Sequence, residues 1–209
     1  MSARVLLASG AVGPLLFMIT FFIDGATRPG YDPWRNFVSQ LGVGERGWLQ
    51  IANFILCGVL VLAGAVGVRR GPGSRVVAVI IGVIALGMIG AGIFVVDPGL
   101  GYPPGERVPP RPTFHDSAHQ LVSLIVFLAL GLAPLVVAVL TRATRAWAAY
   151  CLLSGIVVLA FFAATVVVSA QEERIFTGAP IGLLQRVSVA AGLAWLSAYF
   201  LSLWRVNVP

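Results

Sequence analysis

Residues 97–119 read DPGLGYPPGERVPPRPTFHDSAH. This stretch decides the fold, because it is the polar interruption between two long apolar runs. Residues 76–96 precede it and residues 114–140 follow it. At 1.5 Å per residue each run is long enough to cross a bilayer. Six of the chain's 13 prolines lie between the runs, so neither helix can continue through. Both histidines and three of the eight acids fall here too, which makes it the first place to look for a site.

Working outward, the same pattern repeats. Apolar runs at 5–23, 48–68, 76–96, 114–140, 146–169 and 181–204 predict six transmembrane helices in a single integral membrane domain, 1–209, of all-α class. The first run is too long for a signal h-region, and Asp24-Gly-Ala makes a poor cleavage site, so it reads as a retained helix. Composition agrees. The chain is 58% hydrophobic and only 11% charged, with a mean hydropathy of +0.94. Too few polar residues exist to cover such a surface in water. The net charge of +6 comes from arginines dispersed beside the spans, so topology accounts for it and nucleic acid is not an expected partner. Cys57 and Cys151 both lie in apolar runs and read as small buried hydrophobes.

Charge also orients the chain. Arg4, Arg69, Arg70, Arg75, Arg142, Arg145 and Arg205 fall on one side without an acid, and all eight acids fall on the other. The positive-inside rule then places both termini in the cytoplasm and segments 24–47 and 97–113 outside, in a multi-pass protein of the plasma membrane. Within 24–47, Asp32-Pro33 suits a helix start, and Trp34, Phe37, Val38 and Leu41 share one helical face. A short interfacial helix with its apolar side toward lipid is expected there. Gly82, Gly87, Gly90 and Gly92 suggest that the third helix sits at the centre of the bundle.

Three features carry possible chemistry. His115 and His119 are four apart and share a helical face, a spacing that can chelate a metal ion with Asp97 as third ligand. The competing reading is structural, since Thr113 and Asp116 form a capping box at the start of the fourth helix. Arg186 lies about 7 Å inside the sixth span, where a charge needs a partner. Asp24, Asp97, Glu172 and Glu173 are candidate counterions, and a lipid phosphate or small anion is the alternative. Asp24, Ser39, Asp97, His115, His119 and Arg186 all lie toward the same side.

Asn36-Phe-Val-Ser39-Gln-Leu-Gly42, Phe94-Val-Val-Asp97-Pro98, the Pro-Pro-Gly segment, Thr113-x-His115 and Gly182-Leu-Leu-Gln185-Arg186 together resemble the domain of unknown function 998 family of six-helix prokaryotic membrane proteins. The resemblance covers nearly the whole chain. It implies a six-helix bundle with an outward polar cluster, and brings Gln185 beside Arg186 into that cluster. It implies no activity.

The functional expectation is therefore a membrane protein whose polar cluster (Arg186, Asp24, Ser39, Asp97, His115 and Gln185) binds a lipid head group or small anion. One alternative is a membrane-embedded hydrolase or transferase using His115 with Asp97, with or without a metal held by His115, His119 and Asp97. Another is a small-molecule transporter, disfavoured because the far half of every span lacks an ionisable residue. No cofactor beyond that metal ion is expected, and membrane lipid is the expected partner.

Overall fold

A computed structural model describes residues 1–140, 144–171 and 178–206. Six helices fill the apolar runs: α1 (Ala3–Thr27), α2 (Gly47–Arg70), α3 (Arg75–Ile93), α4 (Phe114–Leu140), α5 (Arg145–Ser169) and α6 (Ile181–Val206). All six are long and apolar enough to cross a membrane, and there is no strand among the described residues. The protein is a multi-pass membrane protein. Residues Arg142, Glu172, Glu173 and Arg174, which bear on the charge pattern and on the partners of Arg186, lie outside the described residues.

Each helix packs on the next, and α6 closes on α1, so the bundle is a ring in chain order. The third helix is not at its centre. It is one member of the ring, between α2 and α4. Its glycines serve those two neighbours: Gly92 faces Ile51 and Ile55, Gly87 faces Val126, and Gly82 meets nothing. In lipid no hydrophobic drive pushes helices together, so close backbone approach has to do it. At the α1–α2 crossing a Cβ on Gly10 would sit 2.7 Å from the Gly64 Cα, and on α2 a Cβ on Gly58 would sit 2.7 Å from the Ala85 carbonyl of α3.

Six crossings leave both ends of the chain at one end of the ring. The opposite end, called here the loop end, carries the two long connections. The first departs from the helix expected from Pro33 onward. Asp32 does start a turn: its carbonyl accepts from the Arg35 and Asn36 N–H groups at 3.1 and 2.7 Å, and its Oδ1 accepts from the Trp34 N–H at 2.9 Å. The turn stops there, and a five-residue 3₁₀ helix, Val38–Gly42, follows. Side chains explain the break. Asn36 Oδ1 accepts from the Asp32 N–H and Gln40 Oε1 from the Phe37 N–H, at 2.8 and 2.9 Å, in place of helical carbonyls. Val38 and Leu41 plug the mouth of the ring and are buried, so they do not lie on lipid. Trp34, 60% exposed, is left as the surface anchor.

The second connection folds over the first. Gln40 Nε2 donates to the Gly99 carbonyl at 2.5 Å and Asn36 Nδ2 to the Leu100 carbonyl at 3.2 Å. Gly30, at φ +72°, lies so close to Pro104 that a Cβ would meet its ring, with Cδ at 2.9 Å. The two connections form a lid of fixed shape over the loop end.

Candidate functional site

The polar residues picked from sequence all lie at the loop end, but the structure sorts them into separate groups.

Asp24 belongs to the first group. It ends α1 and takes an ion pair from Arg28 one turn on, with a second from Arg46 at 3.0 Å. Arg28 also donates to the Val43 carbonyl (2.9 Å), the Arg46 carbonyl (2.9 Å) and the Tyr102 hydroxyl (3.1 Å). Burial pulls the Arg28 pKa down, but the hydrogen bonds to Asp24 and Tyr102 outweigh it and raise it above the ordinary arginine value. This cluster ties both connections to α1.

Arg186 forms the second group, and here the candidate ion pairs with Asp24 and Asp97 do not form. The guanidinium reaches neither Asp24 nor Asp97. Its Nη1 donates to the carbonyls of Pro33 (2.6 Å), Asn36 (2.8 Å) and Gly182 (3.0 Å), and its Nη2 to the Tyr31 hydroxyl. The reason is local. The Asp32–Asn36 turn points carbonyls at α6, and Gly182 lets that turn approach: a Cβ there would strike the Asn36 carbonyl and sit 2.9 Å from the Pro33 oxygen. Beside it, the Leu183 N–H, one of the free donors of the α6 N-terminus, donates to the Trp34 carbonyl at 3.2 Å. The Tyr31 hydroxyl in turn donates to the Phe37 carbonyl at 2.9 Å. Burial pushes the Tyr31 phenol up to about 12, against the Arg186 charge, which pulls the other way.

Asp97 stands in the third group. Its two carboxylate oxygens accept from the Thr113 N–H and hydroxyl, both at 2.8 Å. Thr113 caps α4 as expected, accepting from the Asp116 N–H at 3.2 Å, while Asp116 turns its carboxylate to the Asp97 N–H at 3.1 Å. The two histidines part company. His115 is exposed on the α4 surface beside Phe94 and Phe114. His119 is 4% exposed and faces inward, its Nδ1 2.6 Å from the Phe94 carbonyl. Among the described residues no three His, Cys, Asp or Glu side chains converge.

The fourth group surrounds a cavity inside the ring. A space of about 50 Å³ lies beneath Val38 and Ser39, bounded by Phe17, Phe54, Met88, His119, Ser123, Val126, Phe127, Leu130, Gln185 and Leu193. It adjoins a cleft of about 250 Å³ between α4, α5 and α6, and the two share Ser39, His119, Ser123, Phe127 and Gln185. The cleft's rim holds Leu124 and Val166, both exposed apolar residues of spans, so it opens sideways toward lipid. Gln185 props the roof, its Oε1 accepting from the Val38 N–H at 2.9 Å.

Ser123, Tyr31 and Gly182 were not among the candidates read from sequence. For Ser123 a signal was present, since it follows His119 by four residues and so lies one turn on along the same face.

The family profile described as protein of unknown function (DUF998) matches residues 11–202. The chain belongs to this family. No curated protein and no solved structure matches it significantly. The match runs from α1 through most of α6, so it takes in the whole ring and both connections that roof it.

Proposed function

We propose that this membrane protein binds a single-chain membrane amphiphile, which enters sideways through the α4–α5–α6 cleft and places its head beneath the 3₁₀ helix. What supports the reading is the junction of cleft and cavity. Its walls are apolar apart from a few polar groups that converge at the lid end, the usual make-up of a small-molecule site. Capture of an anion by Arg186 is less favoured, since that guanidinium already serves four protein oxygens.

We place the loop end outside, with the termini in the cytoplasm of the plasma membrane. Arg4, Arg69, Arg70, Arg75, Arg145 and Arg205 crowd the terminal end, where Arg4 also stacks on Trp204 at 4.4 Å. The head group would thus come from the outer leaflet.

Photolabelling tests the site. A diazirine-bearing oleoyl amphiphile should label α4 between Ser123 and Phe127 and α5 between Phe162 and Val166. Ser123→Trp, which fills the junction, should abolish that labelling while the protein keeps its thermal stability. Labelling spread evenly over the lipid-facing surface and unchanged in Ser123→Trp would defeat the proposal.

A further inference from the structure

The inference rests on the amphiphile reading above and concerns the head. We infer that the subsite beneath the lid takes an uncharged head bearing a hydroxyl donor and an acceptor oxygen, of acylglycerol type, and discriminates against phosphate and carboxylate.

The hydrogen-bond inventory at the junction carries the argument. The Phe94 carbonyl can only accept, so it accepts from the His119 Nδ1–H, and the Ala91 carbonyl is a second backbone acceptor at that ring. Gln185 spends its Oε1 on Val38, and its Nε2 has no partner among the described residues. That is a donor for a ligand oxygen. The hydroxyls of Ser39 and Ser123 also lack partners there and can serve either way. Gln185, Ser39 and Ser123 therefore offer both senses of hydrogen bond at the shared wall of cavity and cleft.

Charge is missing from that wall. No Arg, Asp or Glu among the described residues lines either space. Arg186 follows Gln185 in sequence but donates to the lid and to Tyr31. A phosphate or carboxylate drawn into this half-dry space would meet no countercharge to offset its desolvation. A glycerol head loses far less water and can satisfy both donor and acceptor.

Native mass spectrometry of the full chain in detergent tests this with three probes that share one oleoyl chain: 1-monooleoylglycerol, oleate and 1-oleoyl-lysophosphatidate. Monooleoylglycerol should bind at least tenfold more tightly than either anion. Ser39→Ala with Ser123→Ala breaks no hydrogen bond within the protein, and should lower that affinity at least tenfold while leaving weak oleate binding unchanged. Equal or tighter binding of lysophosphatidate or oleate would overturn the inference, as would a double variant that binds monooleoylglycerol like the parent. If all three bind alike and Ser123→Trp removes all of them, the cavity reading stands and the head-group inference fails. If none binds, both fail.

Discussion

The Arg186 guanidinium lies over the Tyr31 ring, 5.4 Å from its centroid, and also donates to the hydroxyl of that same tyrosine. A cation 6% exposed near the end of a span is thus stabilised by carbonyl dipoles, a phenol and a π face, with no carboxylate among the described residues. It is a fastener between the last helix and the connection after the first.

Removing that fastener should uncap several oxygens at once. Arg186→Ala leaves the part-buried Pro33 carbonyl without its donor and the buried Asn36 carbonyl with only the Tyr31 hydroxyl at 3.4 Å, and should cost about 1–3 kcal/mol. Thermal unfolding in detergent reads this. Arg186 and Tyr31 should be coupled in a double-mutant cycle, whereas Arg186 and Asp24 should be additive. Recovery of stability on adding Asp24→Asn to Arg186→Ala would restore the ion-pair reading.

Two glycine substitutions of the same kind should part in sign. Gly182→Ala drives a methyl into the lid carbonyls and should cost about 1–3 kcal/mol. Gly82→Ala adds a methyl where nothing lies within 4 Å, and should be neutral or stabilising by up to about 1 kcal/mol. Melting temperatures of the two variants side by side decide the matter.

Tyr31 gives the lid a pH limit. In the unfolded chain a tyrosine titrates near 10, and in the fold Tyr31 titrates at about 12. The folded state holds the proton more tightly, so the contribution is full below pH 10 and is lost as pH rises from 10 to 12. The loss is about 2–3 kcal/mol. Tyr31→Phe has no such proton, and its stability should fall less over that interval. Parallel slopes for parent and variant between pH 9.5 and 11.5 would refute the assignment.

The six crossings were legible because apolar runs of this length have one physical outcome. The ring order was not, since glycine content marks close approach but does not say between which helices. The short helix was misplaced for a definite reason. The apolar spacing of Trp34, Phe37, Val38 and Leu41 suits an α-helix, yet Asn36 and Gln40 between them take over backbone donors and tighten it to 3₁₀. Arg186 was legible as a charge needing partners, but carbonyls of a distant turn leave no mark in sequence. The cavity was the least visible feature, because Ser123 in an apolar helix differs little from any serine packed against its own backbone.

Topology is the remaining test. A reporter inserted in the connection 71–74 should be cytoplasmic, and one between Gly101 and Glu106 should be external. The reverse result would turn the ring over and place the cavity mouth in the inner leaflet.

Closure of the ring by α1 and α6 sets the order in which the protein can be completed during synthesis. The Pro33 oxygen waits for a donor 153 residues downstream. At translation speeds of about 5–20 residues per second, that is a delay of roughly 8–30 s. Through that interval the lid has neither Arg186 nor Gln185 to hold it, and the compartment beneath Val38 has no α6 wall. A nascent chain halted before the sixth helix would therefore hold five membrane-inserted segments and no chamber, so the last insertion event is the one that creates the site.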